Sequence, residues 1–278
     1  MGKKLSSPQG LRGKVAFITG ASGALGSDVA RALHARGVRV ALLGRNTDKL
    51  ETLARELGGP EKALAIDMNV RNLASVEAAA KSAAEHFGGI DIVIAGAGMV
   101  TTELVEDYSA TGFVDDIDTN LNGVWRTIKA TLPYLRESKG HVSIIASLAS
   151  FIHMPEISAY SASKAGVLAL ANSLRLELDG SGVTVGTIHP SFFESALGDA
   201  LTSSPLLSRA SGNFTGLFAP VKREDVVAAI VKNIERRSRV AVLPRAFSAL
   251  SLAPGLGQRV IEPYLSHNLR RGTEKLER

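Results

Sequence analysis

Val15-Ala16-Phe17-Ile18-Thr19-Gly20-Ala21-Ser22-Gly23-Ala24-Leu25-Gly26 is the stretch on which the fold turns. Val15 to Thr19 is short, uncharged and rich in branched side chains, as a strand buried on both faces would be. From Ala24 to Arg36 apolar residues recur at helical spacing, at Leu25, Val29, Ala32 and Leu33. Gly20 and Gly23 stand between strand and helix, and Gly26 follows in the helix's first turn. Glycine allows a tight turn, a close approach of an anion to the main chain, and close packing of helix on strand. A helix that starts there offers unpaired N–H groups and the positive end of its dipole to a phosphate. Gly20 to Gly26, including Ser22, Ala24 and Leu25, is therefore a candidate dinucleotide cradle.

The same alternation continues outward. Val38 to Leu43, Ala63 to Ile66, Asp91 to Ala95, His141 to Ala146, Val183 to Ile188 and Val240 to Leu243 read as strands. Asp48 to Leu57, Leu73 to Phe87, Phe113 to Glu137, Ala159 to Leu178 and Arg223 to Arg236 read as helices. Near-continuous apolar strands alternating with helices imply an α/β fold. The expectation is a single doubly wound Rossmann-type domain with a seven-stranded, mostly parallel sheet and helices on both faces. Residues 1–10 are expected to be a flexible arm, 11–244 the domain, and 245–278 a C-terminal extension. In the extension Leu250, Leu252, Leu256, Val260, Ile261, Tyr264 and Leu265 are candidates for packing, and residues 270–278 read as solvated.

Composition bounds the rest. With 45% hydrophobic and 21% charged residues in 278, the chain is not intrinsically disordered. Its net charge of +5 comes from scattered basic residues among only 5% aromatics, which argues against a nucleic-acid partner. The absence of cysteine excludes disulfides, thiolate metal sites and a thiol nucleophile, and fits a cytoplasmic protein. No histidine pair has ligand spacing with a carboxylate, so no catalytic metal is expected. The longest uncharged apolar stretches, Val142 to Met154 and Ala246 to Gln258, are about 13 residues, too short for a membrane span. Met1-Gly2-Lys3-Lys4-Leu5-Ser6 matches a myristoylation pattern, but so short a pattern is common and a solvated arm is the reading adopted.

Two further features carry chemistry. The second strand ends in Gly44-Arg45-Asn46, with no carboxylate to bond ribose hydroxyls and an arginine able to pair with a 2′-phosphate. That favours NADP(H) over NAD(H). Of four tyrosines, only Tyr160 has a lysine four residues on, Lys164. Side chains at that spacing share a helix face. An ammonium there favours the phenolate, bringing tyrosine toward use as an acid or base near neutrality.

Tyr160-Ser161-Ala162-Ser163-Lys164 resembles the Tyr-x-Ala-Ser-Lys signature of the short-chain dehydrogenase/reductase superfamily, in its short branch. The likeness runs over roughly Leu11 to Leu243. Ser147 stands where the family has its catalytic serine, and Asn120-Leu121-Asn122-Gly123 matches its Asn-x-x-Gly segment. Asp67, followed by Met68, matches the aspartate that contacts adenine. The departures are Ala24 for a usual glycine, Ala95-Gly96-Ala97-Gly98 for Asn-Asn-Ala-Gly, and Pro190-Ser191 for Pro-Gly.

The resemblance implies an oxidoreductase transferring a hydride between nicotinamide and a carbonyl or secondary alcohol. Tyr160 would be the proton donor, Ser147 would stabilise the substrate oxygen, Lys164 would act on Tyr160 and hold the ribose, and Asn120 would hold a water for proton resupply. Ala95, Gly96 and Ala97 would lie beside the cofactor, and Pro190, Phe193 and Ser195 near the nicotinamide. Ser150, Phe151, His153 and Met154 would line the pocket. Residues 191–220 would form a substrate lid, and its apolar content, from Phe192 to Phe218, points to a lipophilic ketone or alcohol. A homodimer or homotetramer is implied. Two alternatives stay open: a catalytically silent NADP-binding sensor or scaffold, and a nucleotide-sugar epimerase or dehydratase, suggested by the spacing of Gly20, Gly23 and Gly26.

Overall fold

Strand β1 (Val15–Thr19) is buried along its whole length. In the computed structural model, which describes residues 10–273, it pairs in parallel with β2 (Arg39–Gly44) on one side and β4 (Ile92–Ala95) on the other. With β3 (Ala63–Asp67), β5 (His141–Ile145), β6 (Thr184–Pro190) and β7 (Val240–Leu243) they form one sheet in the order β3-β2-β1-β4-β5-β6-β7. Every pairing is parallel, so the expected seven-stranded sheet is present and wholly parallel.

Side chains alternate across the sheet and find a helical layer on each face. Val15 and Phe17 pack with α3 (Leu73–Phe87), α5 (Gly123–Ser138) and α6 (Ser158–Glu177). Ala16 and Ile18 pack with α1 (Ala24–His34), α2 (Thr47–Glu56) and α9 (Arg223–Arg236). Double-sided burial explains why these strands read as unbroken apolar runs. The strand order reverses between β1 and β4, and the crevice beyond their C-terminal ends is where such folds take ligands.

Three features depart from the sequence expectations. The single helix expected over Phe113 to Glu137 is α4 (Ala110–Ile117), a wide π turn at Asp118–Asn122, and α5. Residues 191–220, expected as a lid, carry two short helices, α7 (Ala196–Thr202) and α8 (Pro205–Ala210). The C-terminal extension holds a 3₁₀ segment at Arg245–Ser251 and then a twenty-residue helix, α10 (Pro254–Thr273), that the glycines and prolines in it concealed. Leu265 is buried and Leu250 and Ile261 partly so, whereas Leu252, Leu256 and Val260 are exposed, so the packing expected of all of them holds for only some. The N-terminal arm up to residue 9, with its myristoylation pattern, and residues 274–278 of the solvated end lie outside the described residues.

Candidate active site

The turn after β1 is built by contacts that only glycine permits. Gly20 has φ of 75°, and a Cβ on it would lie 2.9 Å from the carbonyl oxygen of Gly96. At Gly26 a Cβ would come within 2.3 Å of the Gly20 oxygen. Gly26→Ala should therefore lower stability by about 2 kcal/mol through overpacking. That corresponds to a melting midpoint about 4–8 °C lower by calorimetry. An unchanged midpoint would refute this packing. Gly23 caps α1 without a side chain, and the first turn of α1 holds no acidic residue. Its leading N–H groups thus face the crevice with no side-chain acceptor, the arrangement an anion needs. Ala24 is exposed at the first position of α1. It also lines the cavity.

The end of β2 lies beside this turn. A Cβ on Gly44 would be 3.1 Å from Ser22 Oγ. Arg45 lines the same cavity, is exposed, and makes no ion pair among the described residues. Asn46 is occupied differently: its side chain accepts from Lys49 N at 3.1 Å and caps α2. Met68 is buried and lines the cavity, while Asp67 is exposed at the end of β3, opposite Gly44. Gly96 and Ala97 line the cavity; Ala95 is buried in the core behind them.

Thr19 was missed from the sequence. Its hydroxyl accepts from Gly96 N at 3.0 Å and Ala97 N at 3.2 Å. It thereby ties the end of β1 to the loop after β4. A threonine in an apolar strand looks like an ordinary strand former, so nothing in its spacing marked it.

Asn120 sits fully buried in the π turn. Its Nδ2 donates to Met99 O at 2.8 Å and its Oδ1 accepts from Met99 N at 2.9 Å. A π turn widens the helix just where one side chain must turn inward, and such turns recur at functional sites. A Cβ on Gly98 would lie 3.2 Å from Asn120 Oδ1 and 3.8 Å from Lys164 Nζ, so these groups crowd one corner.

Tyr160 and Lys164 are both buried on α6 and both line the cavity. Lys164 Nζ donates to Ile145 O at 3.0 Å and lies 5.5 Å from the centre of the Tyr160 ring. Ser147 follows β5 by two residues, its hydroxyl accepting from Ala149 N at 3.1 Å, and it also hydrogen-bonds Tyr160. Burial pushes Tyr160 up to about 12, against the downward pull of that Ser147 hydrogen bond. Burial likewise pushes Lys164 down to about 8, opposed by the Asp116 carboxylate. The expected lowering of the tyrosine by its lysine is thus overturned in the protein alone: desolvation wins, because the ammonium faces a carbonyl and the ring, not the phenol oxygen. Tyr160 is protonated at neutral pH, the state a proton donor requires.

One cavity of about 360 Å³ joins the glycine turn to these groups. Leu148, Ile152, Met154, Leu201 and Phe218 give it an apolar far end. Pro190, Phe193 and Ser195 line it, and the Ser195 hydroxyl also caps α7 by accepting from Gly198 N at 3.0 Å. Of the pocket residues expected after Ser147, only Met154 lines it. Ser150 donates to Lys164 O, Phe151 is buried against His189, and His153 points outward. Ser191 also lines the cavity, and its buried Oγ has no partner among the described residues. An uncapped helix start, a cradle that a Cβ would fill and an orphaned hydroxyl together fit a phosphate-bearing nucleotide with a polar headgroup. Among the described residues no group of three or more His, Cys, Asp or Glu could hold a metal ion, and no helix is long and apolar enough to cross a membrane.

A parallel sheet with a glycine turn at its switch point, sharing a cavity with a buried tyrosine and lysine and a partly buried serine, defines a nicotinamide-dependent oxidoreductase. The chain belongs to the short chain dehydrogenase family, whose profile matches residues 14–205. A protein named uncharacterized oxidoreductase from Staphylococcus epidermidis is 35% identical over 185 residues, 66% of this chain and 80% of that one. An alcohol dehydrogenase of the archaeon Thermococcus sibiricus, solved with 5-hydroxy-NADP, superposes with a TM-score of 0.71 at 30% identity over 83% of this chain and 94% of its own. A short chain dehydrogenase/reductase of Burkholderia phymatum shares the fold with a TM-score of 0.77 at 22% identity, over 88% and 93% of the two chains.

Proposed function

We propose that the protein is an NADP(H)-dependent reductase of lipophilic ketones, or the dehydrogenase of the matching secondary alcohols. The observation that carries this is the single cavity with Arg45 and the glycine turn at one end, Tyr160, Ser147 and Lys164 at its middle, and an apolar lid at the other. The turn from Gly20 to Gly26, with Arg45, Met68, Gly96, Ala97, Lys164, Pro190, Phe193 and Ser195, would hold the cofactor, with Asn46 and Asp67 at the edge of that site. A bound nicotinamide supplies or accepts the hydride.

Tyr160 gives its proton to the substrate oxygen in the reductive direction, and Ser147 donates a hydrogen bond to that oxygen as negative charge grows there. Lys164, held by the Ile145 carbonyl, keeps a positive charge next to the forming phenolate. Asn120 holds the Met99 backbone in place, and a water held beside it would link Lys164 to solvent for proton resupply. The apolar lid, residues 191–220 of a single domain spanning 11–244, excludes water from the transfer. The exposed apolar residues Phe113, Val114 and Trp125 on α4 and α5 support a homodimer or homotetramer, and the lack of cysteine supports a cytoplasmic setting.

The test is steady-state turnover with a panel of ketones, alcohols and sugar nucleotides, in both directions and across pH. Reduction should hold steady up to about pH 8 and fall above it as Lys164 loses its charge, since Tyr160 stays protonated throughout. Oxidation needs the phenolate, so its rate should climb with pH from 7 upward. Turnover of sugar nucleotides without net NADPH oxidation would favour an epimerase, and no turnover at all a sensor or scaffold.

A further inference from the structure

We propose that helix α10 is a strap that sets the shape of the substrate cavity from outside, with Gln258 and Asn268 as positioning residues on its two walls. The proposal rests on the reading of that cavity as the ketone or alcohol site, and it concerns residues beyond the family match at 14–205.

The first wall is the loop between Ser147 and α6. Ile152 and Met154 face the cavity, while His153 between them is exposed. Gln258 Oε1 accepts from His153 N at 2.8 Å, and Gln258 Nε2 reaches His153 O at 3.5 Å. One side chain thus grips the loop backbone from behind, at the residue whose two neighbours form the wall. The second wall is the lid. Asn268 Nδ2 donates to Ala210 O, at the end of α8, at 3.1 Å. Gln258 and Asn268 are ten positions apart, about 15 Å of helix, so one rigid element reaches both walls.

The face of α10 between these grips is the one that packs. Gly257, Ile261 and Leu265 recur every fourth residue, and Leu265 is buried in the same cluster as Leu201, Phe218 and Tyr160. Tyr264 stacks on Phe218 at 6.2 Å between ring centres. Gly212, in the lid turn after α8, has φ of 70°, and a Cβ there would come within 2.5 Å of the Tyr264 hydroxyl, so the lid backbone is shaped around the strap. Apolar packing alone would let α10 slide; two side chains bonded to backbone at opposite ends fix its register and, through it, the separation of the walls.

The experiment uses the full chain with Gln258→Ala, Asn268→Ala and the double variant, assayed with NADPH and 2-alkanones from 2-butanone to 2-dodecanone. Each lost bond should raise KM for the longer ketones about fivefold, the effect of one hydrogen bond, with kcat, the KM for 2-butanone and NADPH affinity unchanged. Gln258→Glu, which keeps the acceptor for His153 N, should recover most of the loss. Hydrogen exchange should quicken about tenfold at amides 151–157 and 196–213 in the double variant and stay constant in the sheet. An unaltered dependence on ketone length in the double variant, or faster exchange confined to α10, overturns the strap. Wild-type protein that turns over no alkanone while exchange at both walls responds as described refutes the substrate reading and leaves the strap supported.

Discussion

Tyr160→Phe should lower kcat by about three orders of magnitude in both directions, the usual worth of a positioned acid or base. The NADPH dissociation constant should stay within a factor of about two, because the ring and the ammonium beneath it remain. The reasoning follows from the site. Tyr160 is almost wholly buried, its hydroxyl bonds Ser147, and burial holds it protonated at neutral pH. Phenylalanine fills the same volume, so the cavity and α6 persist; the buried hydroxyl removed has Ser147 as its partner, and that loss costs about 1 kcal/mol of stability. Lys164 keeps its bond to Ile145 O and its place beside the ring. Water cannot replace the lost proton donor efficiently where Leu148, Ile152 and Phe218 surround the substrate end. Stopped-flow turnover, fluorescence titration with NADPH and a melting curve separate these effects. Turnover within tenfold of wild type would mean that another group supplies the proton, and a lost NADPH affinity would mean that the hydroxyl serves the cofactor instead.

How much of this could be read beforehand depended on which physical signal each residue left in the chain. β1 and its partners were plain because strands buried on both faces must be apolar throughout. Tyr160 and Lys164 were plain because a spacing of four puts them on one helix face. The break at Asp118–Asn122 left no signal: the residues around it keep helical character, and only the inward bond of Asn120 to Met99 shows why the helix widens. Helix α10 was hidden for the opposite reason. Pro254, Gly255, Gly257 and Pro263 read as breakers, yet Pro254 stands at the first helical position, where a missing N–H costs nothing. Gly257 faces Leu250 so closely that a larger residue would clash. The ionisation of Tyr160 was misjudged because spacing says which groups are near and nothing about how deeply they are buried.

Arg45→Asp should invert cofactor choice, lowering kcat/KM for NADPH by a factor of about 10²–10³ while leaving NADH unchanged or improved. The arginine contributes a charge-assisted, bidentate bond to a 2′-phosphate, worth about 1.5–3 kcal/mol. A carboxylate in its place adds repulsion against the phosphate, screened because the position is exposed and therefore weaker than at a buried site. Arg45→Gln separates the two contributions, since it removes attraction without adding repulsion; it should cost NADPH about tenfold. Stability should be nearly unaffected in both variants. Arg45 makes no ion pair among the described residues, and a carboxylate just before α2 lies favourably toward the positive end of that helix. The end of β2 at Gly44 faces Ser22 across the turn, and Asp67, opposite Gly44 on β3, is exposed and screened by solvent. Raised ionic strength should narrow the gap between wild type and Arg45→Asp for NADPH and leave NADH alone. A ratio of NADPH to NADH turnover that is the same in all three proteins would mean that Arg45 only finishes an exposed turn, and that the preference, if any, is set elsewhere along the cavity.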